Sequence, residues 1–176
     1  MGIALRLVRE SDADELAALL VASREHLEPW EPARGEDYYT PAGQRSVIAA
    51  QLARAAAGLT RPFVIVDPTG AIVGRITIDN IVRGAGQFAS LGYWIGAPFV
   101  RLGYATAAVG LATQEAFHGL RLHRLEAGTL VHNVASQRAL ERNGFVRYGM
   151  APQLVKIAGA WQDHVLYHVL TDDPTV

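Results

Sequence analysis

Residues 88–131 restrict the fold more than any other stretch of the chain. Phe88–Ile95 reads as a strand, and a loop punctuated by Gly96 and Gly103 follows it. A long helix is predicted over about 104–117, and residues 124–131 read as a strand again. A strand–helix–strand unit carries the chain back in its original direction, so the sheet must hold at least one parallel pair. The class is therefore mixed α/β.

Flanking signals extend that unit in both directions. Residues 3–8 alternate as an opening strand. Ser11, Asp12 and Asp14 offer cap oxygens for a helix that carries Leu16, Leu19, Leu20 and Ser23 at helical spacing and stops at Pro29. Thr40-Pro41 opens a second, alanine-rich helix that runs to residue 57 before Gly58. Arg61–Val66 and residues 71–82 form a hairpin across the turn Asp67-Pro68-Thr69-Gly70. A short helix over 135–143 ends at Gly144, and residues 145–155 and 161–170 close the chain as an antiparallel pair turning at Ala158-Gly159. The order is strand, two helices, three strands, helix, strand, helix, two strands: seven strands, mostly antiparallel, with about four helices.

At 176 residues this is one domain, 1–176, large enough to bury a core. Sixteen basic residues against seventeen acidic ones leave a net charge of −1, which argues against a nucleic-acid partner held by phosphate neutralisation. The chain has no cysteine, and so no thiol nucleophile and no thiolate metal site. No stretch approaches the roughly 18 uninterrupted apolar residues that a membrane span requires. Arg6, Arg9 and Glu10 interrupt any leader-like core. A soluble, cytoplasmic protein is expected, with no membrane partner.

Chemistry concentrates at the loop before the long helix. The first turn of a helix has N–H groups without backbone acceptors, and its dipole favours negative charge there. Gly103, Ala105 and Thr106 are small enough to let a diphosphate approach that backbone. Neither the Gly-x-Gly-x-x-Gly of a dinucleotide fold nor the Gly-Lys-Ser/Thr of a P-loop is present. On its own, such a loop serves as an ordinary helix start as readily as an anion site.

Four further pieces stand in order along the chain: Gly92-Tyr93-Trp94, Gly103-Tyr104-Ala105-Thr106, Asn133-Val134-Ala135-Ser136, and Leu140-Glu141-Arg142-Asn143-Gly144-Phe145. Together they resemble the core of the GNAT N-acetyltransferases, in the RimJ/RimL branch. Arg24 through Trp30, Asn80 through Ala85, and Trp161-Gln162-Asp163-His164 resemble that branch as well. The resemblance implies a single GNAT-type domain whose parallel pair is splayed. It implies acetyl-CoA as co-substrate, with a primary amine, such as a protein N-terminal α-amine, as acceptor. Arg101, Leu102, Gly103, Tyr104, Ala105 and Thr106 would cradle the diphosphate. Trp94 and Ile95 would hydrogen-bond the pantetheine arm, Asn133 would contact it near the thioester, and Ser136 would protonate the departing thiolate.

Three positions depart from the family pattern. Val100 stands where relatives carry Gln or Arg, and Ser90 where many carry Glu. Leu140 stands where other GNAT enzymes place an acidic Tyr, which leaves Ser136 as the motif-placed proton donor. Glu126 is a candidate base acting through water, or else a structural charge on its strand. The acidic run Glu25, Glu28, Glu31, Glu36 and Asp37, against Arg24 and Arg34, reads either as a solvated loop or as a rim that attracts a cationic amine. His164 and His168 lie about 13 Å apart along a strand, too far to share an ion, so no metal is expected. Branch relatives pair as dimers, which makes a homodimer the expected assembly. The alternative from another class is a non-catalytic acyl-CoA-binding domain acting as a sensor or structural partner.

Overall fold

The computed structural model describes residues 2–172. Seven strands form one sheet: β1 (Ala4–Leu7), β2 (Arg61–Val66), β3 (Ile72–Val82), β4 (Phe88–Ile95), β5 (Arg124–Leu130), β6 (Val146–Ile157) and β7 (Ala160–Leu170), in the order β1-β2-β3-β4-β5-β7-β6. All neighbours are antiparallel except β4 and β5. Five α-helices cover the two faces: α1 (Ala13–Ala22), α2 (Arg24–Leu27), α3 (Pro41–Ala56), α4 (Tyr104–Gln114) and α5 (Val134–Glu141). The seven strands and the lone parallel pair match the sequence reading.

Alternation along each strand divides the core between the faces. On one face Ile76, Ile78, Ala89, Leu91 and Leu125 pack against Ala108, Val109 and Ala112 of α4. On the other, Val64 and Ile72 meet Leu16, Leu19 and Ile48 of α1 and α3, with Trp94 at the border. Small residues on α4 bring that helix close to the sheet. Asn143 fastens α5 to it, its Nδ2 donating to the Thr106 carbonyl at 2.9 Å and to that of Ala139 at 2.8 Å.

The first helix differs from expectation. It is not continuous to Pro29 but breaks at Ser23, which gives the fifth helix. The Ser23 side chain is only 1% exposed, and its Oγ accepts the Ala97 N–H at 3.0 Å. Here a tertiary contact outweighs helix propensity: Ser23 ties the helical layer to the exit of β4. Similarly, the helix predicted to residue 117 becomes a π-turn, Glu115–Gly119, after α4. The closing hairpin turns where expected, with Ala158 at φ 46° and Gly159 at φ 83°, the left-handed pair of a tight hairpin turn.

Candidate functional site

The site begins where the sheet opens. β4 and β5 pair only at Phe88 with Arg124, Ala89 with Leu125 and Ser90 with Glu126. Beyond Ser90 and Glu126 the strands diverge, while their outer edges stay paired to β3 and β7. Their inner edges face a cavity of about 210 Å³. Strand edges present rows of N–H and C=O groups that call for a partner. Thr129, on this cavity, has a buried Oγ1 with no hydrogen bond among the described residues. An extended chain carrying amides fits both features.

At the end of β4 the chain runs through a 3-10 turn, Ala97–Phe99, into the loop before α4. Arg101 (φ 63°) and Gly103 (φ 78°) are both left-handed, and Gly103 is the N-cap of α4. That conformation turns the backbone sharply into the helix and leaves the first-turn N–H groups without intrahelical acceptors. Val100 and Leu102 are exposed.

On the α4 side of the gap stands α5. Asn133 is its N-cap, with Oδ1 accepting the Ser136 N–H at 3.1 Å. The oxygen of Asn133 is thus engaged in capping, and its amide N–H groups remain as donors. Ser136 Oγ lies 2.8 Å from the Tyr93 hydroxyl. Burial pushes Tyr93 up to about 12, against a smaller opposing effect from Ser136. Tyr93 therefore remains protonated through the neutral range. When it donates to Ser136 Oγ, it leaves the serine O–H free to donate elsewhere and makes it more acidic. The motif reading placed Tyr93 on the strand but gave it no role in the chemistry.

The opposite face carries other groups. Glu126 lies there by alternation, at the last paired position, but Arg124 Nε holds its carboxylate at 2.6 Å. His164, cross-strand from Leu130, lines the gap and is 7% exposed. Its Nδ1 stands 3.0 Å from the Gln162 carbonyl oxygen. A carbonyl only accepts, so in the neutral ring Nδ1 carries the proton and Nε2 keeps its lone pair. Sequence reasoning placed His164 in the motif of the closing hairpin and rejected it as a metal ligand, but gave it no role in the chemistry.

A second cavity of about 500 Å³ continues on this face, walled by Gln51 of α3, Arg75 and Thr77 of β3, and Tyr38. It shares Glu31 and the stretch Leu91, Gly92, Tyr93 and Trp94 with the gap. Of the acidic run, only Glu31 reaches the cavity, and burial raises its pKa against the pull of Arg34 and Arg75. Arg24 instead pairs in a bidentate fashion with Glu36, at 2.6 and 3.0 Å, outside the cavity. The rim is therefore much less acidic than its sequence.

The gap is thus bordered by the hydroxyl pair of Tyr93 and Ser136 on one face and by the His164 imidazole on the other. Residues 3–146 match the Acetyltransferase (GNAT) domain. The chain is 36% identical over 172 residues to the Bacillus subtilis (strain 168) protein named "Probable N-acetyltransferase YjcK", covering 97% of this chain and 95% of that one. It is 33% identical over 174 residues to the ribosomal protein uS5-alanine N-acetyltransferase of Escherichia coli (strain K12), covering 98% and 90%. Among solved structures, Mycobacterium smegmatis RimJ in complex with CoA-disulfide has a TM-score of 0.93 at 33% identity, covering 99% of this chain and 84% of that one. The chain belongs to the GNAT acetyltransferase family, with RimJ among its relatives, and its activity is N-acetyl transfer to an amine.

Proposed function

We propose that this protein transfers the acetyl group of acetyl-CoA to the α-amine of a protein N-terminus, by direct attack through a tetrahedral intermediate. The carrying observation is the splayed β4/β5 gap ending at the hydroxyl pair of Tyr93 and Ser136. The functions of relatives support the choice of partners: one solved relative holds a coenzyme A species, and another acts on a ribosomal protein. An acceptor on ribosomal protein puts the work in the cytoplasm.

In this reading the diphosphate rests on the backbone of Arg101, Leu102, Gly103, Tyr104, Ala105 and Thr106. The helix dipole and free N–H groups there favour an anion without need of a side chain at Val100. The pantetheine arm lies along the open edge of β4 at Trp94 and Ile95, and Asn133 donates to it. In this reading the reacting carbon lies between the faces, where the two cavities meet at Gly92 and Tyr93. The amine approaches from the His164 side, and the thiolate departs on the Ser136 side.

We assign proton acceptance to His164, which lines the gap and whose Nε2 makes no hydrogen bond among the described residues. Glu126, tied to Arg124 outside both cavities, is the second choice, acting through water. An acid and a base held on opposite faces favour turnover over mere acyl-CoA sensing, because a sensor needs neither.

Ser136→Ala should lower kcat about 10–100-fold with little change in coenzyme A affinity. That is at or below the low end of general-acid effects, because an ordinary thiolate is already a tolerable leaving group. Asn133→Ala should instead weaken coenzyme A binding, since its contact exists in the ground state too. Calorimetry with steady-state kinetics separates the two outcomes. An unchanged kcat in Ser136→Ala, with chemistry limiting, would leave Ser136 as a helix-turn residue.

We also propose a homodimer. The closing hairpin at the free edge of the sheet exposes Val146, Met150, Leu154 and Trp161. Sedimentation at micromolar concentration should give a dimer, and monomer alone would remove the idea.

A further inference from the structure

Arg75 poses a problem that the transfer chemistry leaves unsolved. It sits in the middle of β3 and is only 5% exposed, yet among the described residues no carboxylate comes within ion-pair distance of it. Its one hydrogen-bond partner there is the side-chain oxygen of Gln51, bound through Nη2. A guanidinium has five N–H donors, and a buried charge without a paired anion is costly. Burial lowers its pKa, and Arg34 adds to that; Tyr38, Glu31 and Asp12 act the other way.

The location gives the cost a use. Arg75 lines the 500 Å³ cavity and lies directly opposite Trp94, two residue pairs beyond Thr77 and Gly92. Gly92 lies where the two cavities meet. Two residues along a strand span about 7 Å, so the backbone of Arg75 stands roughly that far from the level of Gly92, where the proposed function puts the attack. A peptide backbone covers such a distance in two to three residues, at about 3.3–3.6 Å each.

We propose that Arg75 is a specificity residue which binds a carboxylate of the acceptor, placed within about three residues of the amine being acetylated. The inference rests on reading this cavity as the amine pocket. An incoming carboxylate meets the guanidinium fork in a desolvated site, where bidentate pairing is strongest. The neighbouring acids do not saturate it. Glu31 makes no ion pair with Arg75, and Asp79, further along β3, is bound by Arg54 at 2.7 Å. The carboxylate can come from an acidic side chain near a peptide N-terminus or from the α-carboxylate of a small amino acid.

The test uses the full chain with acetyl-CoA and matched acceptors. One arm compares alanine-led hexapeptides bearing Glu or Gln at positions two and three. The other compares free amino acids with their amides. The parent should prefer the carboxylate member of at least one arm by about 10–100-fold in kcat/KM, mostly through KM, as expected for a charged bidentate contact. The arm that discriminates identifies the source. Arg75→Gln should bring the ratio to within about threefold of one. Arg75→Lys, which keeps the charge and not the fork, should leave an intermediate ratio, and it serves if the glutamine variant does not fold. Equal use of both members by the parent, or undiminished preference in Arg75→Gln, overturns the proposal while leaving the transferase reading intact. Acetylation of no acceptor in either arm, with acetyl-CoA bound, removes the amine-pocket reading and the proposal with it.

Discussion

Replacing His164 with Gln or Ala should lower kcat by about 10²–10³-fold, within the range of a general base, while coenzyme A affinity changes far less. The asymmetry follows from the faces of the sheet: in the proposed function His164 lies on the acceptor side of the gap, opposite Ser136 and Tyr93. Glutamine retains a group able to donate to the Gln162 carbonyl but has no ring nitrogen to accept a proton, so it separates catalysis from packing. A base must be unprotonated to act, so loss of His164 should change the pH profile of kcat/KM. In the His164 variants the surviving ascent should be the acceptor's own, near pH 7.7–8.0 for an ordinary α-amine, as is typical of such groups. Rate profiles for the parent, His164→Gln and Glu126→Gln measure this directly. If Glu126→Gln loses the activity and His164→Gln keeps it, the assignment passes to Glu126.

The second large effect is expected at Gly103. Nothing lies within 4 Å of where its Cβ would be, so Gly103→Val meets no clash inside the protein. The difficulty is its φ of 78°, a region that costs a non-glycine residue roughly 1–2 kcal/mol and a β-branched one more. The loop must either hold that strain or move, and movement re-aims the N–H groups of Tyr104, Ala105 and Thr106. The valine side chain also occupies the open space above the helix start. Calorimetry should show coenzyme A binding weakened by at least about 30-fold, the combined loss of several charge-assisted hydrogen bonds. Circular dichroism should show the sheet intact, because Gly103 lies outside the core. Normal folding with unchanged affinity would falsify the placement of the diphosphate.

Local patterns were legible wherever the physics is local. Phe88–Ile95 and Arg61–Val66 have the same bounds in sequence and structure, since alternation and flanking turn residues mark both. The Thr40-Pro41 helix start is realised, with Thr40 Oγ1 accepting the Gly43 N–H at 3.0 Å. The break at Ser23 was not legible, because the group that causes it, the Ala97 N–H, lies 74 positions further along the chain. The acidic run near residues 25–37 misleads for a similar reason. Its charge count is plain, but pairing with Arg24 depends on how the loop folds back.

By itself, then, the sequence determined the element order, the one parallel crossover, the glycine-hinged start of α4 and, through its motifs, the family. Each follows from spacing within a few residues or from short motifs in a set order. Only the tertiary structure decided which side chains share the gap. β7 inserts between β5 and β6, and that placement puts His164 beside Leu130. The departure of β5 from β4 after Ser90 opens the space that Tyr93 and Ser136 border from different elements. The register of β3 against β4 leaves Arg75 facing the larger cavity rather than the core. A strand's periodicity says which residues share a face, but not which strand will lie next to it. That choice is made by the packing of the whole sheet, and here it assembles the candidate acid, base and anion-binding group from parts of the chain far apart in sequence.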